Sequence, residues 1–192
     1  MARTLTKETL WANPVFLSFA KKLYTADLKS VCARYAALAE GLDGDVRLFS
    51  SPGRAELVGN HTDHNHGLVI AGSIDLDVAC AAVKTDDGVI TVVSEGYDPF
   101  TVNVNELPVD GQLFGSTKAL VRGVVKGFID RGYAAGGFTA HASSNIFKGA
   151  GVSSSAAFEL LICEILNKFY NDGKIGYTEK AIISRFAENV YF

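Results

Sequence analysis

A helix that is apolar on both of its faces is predicted for residues 153–169. One face carries apolar side chains at the i, i+3, i+4, i+7 spacing of a helix, namely Phe158, Leu161, Ile162, Ile165, Leu166 and Phe169. The opposite face carries Ala156, Ala157, Leu160 and Cys163. A helix with two apolar faces must be buried, so the rest of the chain has to supply the layers that cover it.

Helices are expected first and strands after them. Residues 6–41 predict two helices, which form a helical lead-in over residues 1–45. Residues 73–82 alternate between polar and apolar side chains, which is typical of a half-buried strand. Asp86-Asp87-Gly88 predicts a hairpin turn, with Val89–Ser94 as the returning strand.

The second half of the chain alternates between helix and strand. A strand is expected over residues 100–104, a helix over 115–131, a strand over 138–144 and a last helix from about Thr178. We therefore predict an α+β fold, in which one mixed, antiparallel-rich sheet is backed by helices. We expect residues 1–192 to form one domain.

Composition excludes several classes of protein. Eighteen Lys and Arg against 21 Asp and Glu give a net charge of −3, so a nucleic-acid partner is not expected. No apolar run reaches the roughly 20 residues of a membrane span. Cys32, Cys80 and Cys163 are far apart and odd in number; we expect buried free thiols and a cytoplasmic location.

The first stretch with chemistry is Ser144–Ala157, a glycine-rich turn that leads into the apolar helix. Glycines let backbone amides approach a ligand closely, and the start of a helix favours an anion. The candidate phosphate-binding residues are Gly149, Gly151, Ser153, Ser154 and Ser155. The pattern is neither a Walker loop nor a dinucleotide fingerprint. An ordinary loop with a serine N-cap is the alternative.

The second stretch is Gly53–Gly67, which contains an arginine, two acids and three of the four histidines of the chain. Recognition of a polyol is one interpretation, with Asn60 and Asp63 at the hydroxyl groups and Arg54 at an oxyanion. A metal site is a second interpretation, because His61, Asp63, His64 and His66 are all possible ligands. A solvated polar loop is a third.

Together the two stretches resemble a known family. The first carries G-R-x-x-L-x-G-x-H-T-D-x-N-x-G, and G-x-G-x-S-S-S-A-A follows later in the chain. In this order they are similar to the galactokinase branch of the GHMP small-molecule kinases. Val121-Arg122-Gly123-Val124 matches only the second half of the family's W-A-N-Y-V-R-G-V. Ala187-Glu188-Asn189 matches the start of the family's A-E-N-x-F.

The resemblance implies site residues, ATP and Mg²⁺. Arg54 would lie near the transferred phosphoryl group, and His61 and Asp63 would contact the sugar. Asn60 stands where the family usually has a sugar-contacting glutamate. Ser155 and Glu188 would hold the magnesium ion. The phosphate loop would consist of the two glycines and three serines Gly149, Gly151, Ser153, Ser154 and Ser155.

The family fold is a ribosomal-protein-S5-like N-terminal domain followed by a ferredoxin-like C-terminal domain. The chain ends at Phe192, before the family's G-x-P-C-G-x-M-D segment with its catalytic aspartate. We therefore expect an N-terminal fragment, inactive alone, that packs against its missing C-terminal half. A tag-cleavage scar is the competing explanation of the last residues.

The main functional hypothesis is a sugar kinase, which transfers the γ-phosphoryl group of ATP to the anomeric hydroxyl of galactose or a close relative. Arabinose, galactosamine and N-acetylgalactosamine remain alternative substrates, because a single polar contact can discriminate one hydroxyl. A non-catalytic sugar- or nucleotide-binding protein and a metal-binding module are the other hypotheses.

Overall fold

The computed structural model describes residues 5–59, 67–147 and 151–192. In these ranges the helices are α1 (Lys7–Trp11), α2 (Pro14–Leu23), α3 (Leu28–Ala39), α4 (Thr117–Asp130), α5 (Ser154–Tyr170) and α6 (Tyr177–Tyr191). The strands are β1 (Arg47–Val58), β2 (Ile70–Lys84), β3 (Val89–Ser94), β4 (Phe100–Asn103) and β5 (Phe138–Ser144), and one 3₁₀ turn covers Gly111–Leu113.

The helical lead-in contains α1, α2 and α3, so the prediction of two helices was wrong. Each helix has its own N-cap: the Thr6 side chain accepts from the Thr9 N–H, and Asn13 and Asp27 cap the next two. Pro14 is the first residue of α2. Proline is favoured at that position, so it starts a helix here rather than breaking one.

The sheet is mixed, as predicted, with the order β1-β2-β5-β3-β4. β3 and β5 are parallel, and the other neighbouring pairs are antiparallel. The predicted hairpin between β2 and β3 was wrong, because β5 lies between them. The turn itself is present, since the Val89 N–H donates to Asp87 at 3.0 Å. A turn signal reports that the chain reverses, but it does not decide which strand becomes the neighbour.

Helices cover both faces of the sheet. Ala79 and Ala81 of β2 pack against the lead-in helices, whereas Val78, Cys80 and Ala82 pack against the core under α4, α5 and α6. The expectation of a half-buried strand was therefore wrong for residues 78–82. The reason is the lead-in, which covers the face that the polar alternation assigned to solvent.

The apolar helix is buried as predicted. In α5 the side chains of Leu161, Ile162, Ile165 and Leu166 are buried, and α5 packs against β1, β2, α4 and α6. All three cysteines are buried free thiols, as expected. Among the described residues, none of the helices combines the length and the hydropathy that spanning a bilayer requires.

Candidate functional site

The two stretches that the sequence singled out meet where β1 passes the start of α5. The backbone N–H of Arg54 donates to the carbonyl oxygen of Val152 at 3.1 Å. The β1–β2 register shifts between Pro52 and Arg54, which frees this N–H from the sheet ladder. A Cβ at Gly53 would lie 3.0 Å from the same carbonyl oxygen, so glycine permits the close approach.

Ser153 is the N-cap residue of α5, but it does not cap the helix as the ordinary-loop alternative expects. Its backbone is left-handed, with φ 59° and ψ 49°, and within the described residues its side chain makes no capping hydrogen bond. Gly151 also has a positive φ, of 70°. The amide groups of the first turn of α5 are therefore not satisfied by Ser153, which suits a loop that binds an anion.

The helices α5 and α6 are antiparallel, and three contacts fix their register. The Lys180 ammonium pairs with Glu164, and the Cys163 thiol lies 3.9 Å from the carbonyl oxygen of Lys180. One turn toward the start of α5, the Ser184 hydroxyl donates to Glu159. A step of four residues toward the N-terminus of α5 therefore corresponds to a step of four residues toward the C-terminus of α6.

The next turn in this register brings Ser155 and Glu188 to the same end of the helix pair. Ser155 precedes Glu159 by four residues, and Glu188 follows Ser184 by four. Residues four apart share a helix face. Two residues from different sequence motifs, both predicted to contact magnesium, therefore face one region beside the start of α5.

The donor set in this region suits a hard cation. Mg²⁺ prefers oxygen ligands, and Ser155 and Glu188 supply a hydroxyl and a carboxylate. Below them, Glu159 is 1% exposed. Its Oε1 is buried and has no hydrogen-bond partner among the described residues. Burial, opposed by the hydrogen bond from Ser184 and assisted by the negative charge of Glu188, raises the pKa of Glu159 to about 7. The exposed carboxylate of Glu188 favours a nearby cation.

A close contact between α4 and α6 holds the turn that carries Glu188. A Cβ at Gly123 would lie 2.7 Å from the Cα of Ala187, so the two helices touch through small residues. Ala187 is completely buried and Glu188 is exposed. The motif residues Gly123 and Ala187 therefore have a packing role next to the candidate cation ligand.

A polar network around the buried Asp77 supports the beginning of the glycine-rich stretch. Asp77 of β2 pairs with Arg34 of α3 at 2.6 Å and accepts from the Tyr24 hydroxyl at 2.5 Å and the Ser50 hydroxyl at 2.6 Å. The Asp77 backbone N–H donates to the side chain of Asn145 at 2.6 Å, and the Asn145 N–H donates back to the Asp77 carbonyl at 3.2 Å. The network ties the lead-in to the segment that leaves β5 for the loop.

Other predicted site residues lie outside the described residues: Asn60, His61, Asp63, His64, His66 and Gly149. In the part of the chain that the structure describes, no group of three or more His, Cys, Asp or Glu side chains is arranged to hold a metal ion. The sequence interpretation missed Glu159, Ser184 and Asp77. A lone acid four residues after Ser155 in an apolar helix is the signal that could have found Glu159, because a buried acid needs partners.

Comparison with known proteins finds two family models that match parts of this chain. A model described as the galactokinase galactose-binding signature matches residues 40–84, and a model of the GHMP kinases N-terminal domain matches residues 119–191. Arg54 lies in the first range, and the serines and Glu188 lie in the second. Residues 119–191 match the N-terminal domain of the GHMP kinases, and the fold is that of this domain. Galactokinases of Clostridium tetani, Pyrococcus furiosus and Streptomyces coelicolor are among the relatives of this chain.

The galactokinase of Clostridium tetani is 35% identical over 77% of this chain and 37% of its own length. The Lactococcus lactis galactokinase, solved in complex with galactose, has a TM-score of 0.73 and 28% identity, covering 86% of this chain and 43% of that one. The Methanococcus jannaschii mevalonate kinase shares the fold, with a TM-score of 0.64 and 23% identity over 76% of this chain and 47% of its own. The chain spans only 37–39% of the length of the curated galactokinases it matches.

Proposed function

We propose that the complete protein is a galactokinase-like sugar kinase, which transfers the γ-phosphoryl group of ATP to the anomeric hydroxyl of galactose or a close relative. The observation that carries this proposal is the Arg54–Val152 hydrogen bond at 3.1 Å, since it joins the arginine of the galactose-binding signature to the glycine-rich loop. In the reaction, the sugar oxygen forms a bond to the γ-phosphorus and the bond to the bridging β,γ-oxygen breaks, so that ADP leaves.

The start of α5 would hold the phosphates of ATP. Backbone amides of the turn after Gly151 and the hydroxyl groups of Ser153 and Ser154 are the donors, and the left-handed conformation of Ser153 leaves them free of a side-chain cap. Arg54 is exposed beside this turn and would balance the charge that develops on the transferred group. Phosphoryl transfer depends mainly on such positioning and charge stabilisation.

Ser155 and Glu188 would hold magnesium, whose chemistry is to neutralise phosphate charge. The helix register supports this assignment, as does the buried oxygen of Glu159 that has no hydrogen-bond partner in the part of the chain that the structure describes. We propose that Asn60, His61 and Asp63 orient the sugar. Asn60 keeps hydrogen bonding but not the charge of a glutamate, so galactosamine, N-acetylgalactosamine and arabinose belong in any substrate panel beside galactose.

We further propose that residues 1–192 alone are inactive. The relatives are more than twice as long as the segment they share with this chain. The proton of the sugar hydroxyl would go to the aspartate that the resemblance puts after Phe192, in a C-terminal half that packs on this domain. The three buried free thiols favour a reducing compartment, and we place the reaction in the cytoplasm.

A non-catalytic sugar- or nucleotide-binding protein of the same fold is the second candidate. The Arg54–Val152 contact and the uncapped start of α5 would suit such a protein equally well, because both concern binding rather than chemistry. This alternative predicts that the chain binds sugar or nucleotide and never releases ADP.

ADP release separates the two functions. The complete protein is supplied with ATP and Mg²⁺ and with each sugar in turn: galactose, galactosamine, N-acetylgalactosamine, arabinose and glucose. We expect turnover with galactose or one of its relatives and none with residues 1–192 alone. Sugar binding without any ADP release in the complete protein would replace the kinase proposal with the binding-protein alternative.

A further inference from the structure

We propose that Glu159 is a positioning residue: through Ser184 it sets the register of α6 on α5 and thereby places Glu188 beside Ser155. The inference rests on the proposed function, because it concerns the cation site of the same reaction. It adds two residues that lie outside the predicted phosphate, sugar and magnesium contacts.

The pair occupies the interior of the α5–α6 contact. Glu159 and Ser184 are 1% and 6% exposed, and the Ser184 hydroxyl donates to Oε2 of Glu159. An acid in this apolar interior is costly to bury unless a partner compensates it. A leucine at the same place would fill the apolar interior but would leave the Ser184 hydroxyl without its acceptor, so the polar pair supplies a directional link near the start of α5 rather than packing.

The pair lies one helical turn from the candidate cation ligands. Ser155 and Glu188 continue the Glu159–Ser184 register by four residues on each helix. A one-turn slip of α6 would move Glu188 about 5.4 Å along the helix axis, beyond reach of a cation on Ser155. The second oxygen of Glu159 is buried and without a partner among the described residues, and the bond to Ser184 does not need it.

A second link between the same helices provides a matched control. Glu164 pairs with Lys180 on the partly exposed side, farther from the cation region than Glu159 and on the same two helices. If any α5–α6 link served equally well, removing the Glu164–Lys180 pair would disturb the cation region as much as removing the Glu159–Ser184 bond. The proposal holds that only the latter does so.

The test measures Mn²⁺ affinity by electron paramagnetic resonance in the complete protein with a non-hydrolysable ATP analogue. Glu159→Leu and Ser184→Ala should weaken Mn²⁺ binding by about tenfold, the scale on which loss of a supporting partner affects metal sites. Analogue affinity without metal should stay at the wild-type value. Glu159→Gln keeps an acceptor oxygen and should rescue Mn²⁺ binding. Glu164→Gln should lower the melting temperature without changing Mn²⁺ affinity.

The outcomes separate this inference from the proposed function. Absence of Mn²⁺ binding in the wild-type protein with the analogue would contradict both the positioning role of Glu159 and the proposed kinase function. Normal binding in the wild-type, Ser184→Ala and Glu159→Leu proteins would remove the positioning role alone. If Glu159→Gln loses as much affinity as Glu159→Leu, the carboxylate charge and not the hydrogen bond is what matters, which also overturns the proposal. Ser184→Ala removes only one hydroxyl, so it decides the matter should Glu159→Leu fail to fold.

Discussion

The backbone N–H of Arg54 donates a hydrogen bond to the carbonyl oxygen of Val152 at 3.1 Å. The two residues are far apart in sequence and belong to two different motifs. Their contact fixes the exposed arginine beside the turn that starts α5. Because only backbone atoms make this bond, substitution of the Arg54 side chain leaves the turn in place.

Replacement of Gly53 tests whether β1 positions this turn. A Cβ at Gly53 would lie 3.0 Å from the Val152 oxygen and 3.3 Å from a methyl carbon of Ile146. Gly53→Ala should therefore displace the turn and weaken ATP-analogue binding by roughly tenfold, a loss of about 1.4 kcal/mol. Gly72→Ala on the neighbouring strand is the control, since a Cβ there has no atom within 4 Å. Equal affinities of both variants for the analogue, by calorimetry, would contradict this role.

Replacement of Arg54 tests its role in the reaction. Its side chain is exposed, so Arg54→Ala should change the free energy of unfolding by at most about 0.5 kcal/mol. The kcat should fall by about 10²–10³-fold, as when one group that stabilises developing charge is removed. Arg54→Lys should recover only part of kcat, because lysine keeps the charge without the planar fork. A wild-type kcat for Arg54→Ala would exclude the arginine from the reaction.

Replacement of Gly123 tests the helix contact behind Glu188. A Cβ would lie 2.7 Å from the Cα of Ala187, and such overpacking costs about 1–3 kcal/mol. Gly123→Ala should lower the free energy of unfolding by this amount and weaken Mn²⁺ binding, whereas Gly111→Ala, where the added Cβ meets nothing within 4 Å, should do neither. Urea unfolding measures the free energy of unfolding. A variant with wild-type stability would mean that α4 and α6 separate without cost.

The pH dependence of stability tests the burial of Glu159. Burial raises its pKa from 4.5 to about 7 in the folded chain. The folded state therefore holds the proton more tightly, so the stability contribution is present below pH 4.5 and is lost as pH rises through 7. Between pH 5 and pH 8, wild type should lose up to about 3 kcal/mol relative to Glu159→Gln, at about 1.4 kcal/mol per pKa unit.

Denaturant unfolding of both proteins across this range is the measurement, without added metal. The difference between the two free energies should grow with pH in favour of Glu159→Gln. A difference that stays constant from pH 5 to pH 8 would show that Glu159 titrates as an exposed acid does.

Strongly patterned segments could be predicted from the sequence. The strand over 138–144 and the helix that follows Ser153 are observed within one residue of the prediction, because the periodicity of apolar side chains is a local property of the chain. The position of β5 between β2 and β3 could not be predicted, since strand order depends on pairing between distant segments. Burial of the β2 face that carries Ala79 and Ala81 could not be predicted either, since the helices that cover it come from the distant lead-in.

Asp77 shows why the polar alternation of β2 was misleading. An aspartate in an alternating strand normally faces solvent, yet Asp77 is 4% exposed. Its partners Arg34 and Tyr24 come from the lead-in helices, which compensate the buried charge. The sequence of the strand does not indicate that Asp77 has partners in the lead-in helices.

For the candidate site, the motifs predicted which residues matter and the fold explains how two of them come together. Ser155 and Glu188 belong to different helices, and the antiparallel register of α5 and α6, to which the Glu159–Ser184 bond belongs, puts them at one end. Sequence spacing between two helices carries no register, so this pairing was accessible only through the resemblance. Asn60, His61 and Asp63 stay predictions.

Product analysis by ³¹P nuclear magnetic resonance tests the central claim most directly. The complete protein is incubated with ATP, Mg²⁺ and galactose, and the coupling of the new phosphorus signal to the sugar protons locates the phosphoryl group. We predict a sugar 1-phosphate with one equivalent of ADP, and none from Arg54→Ala on the same time scale. Phosphorylation at another hydroxyl, or unreacted ATP after prolonged incubation with galactose and each of its relatives, would contradict the account.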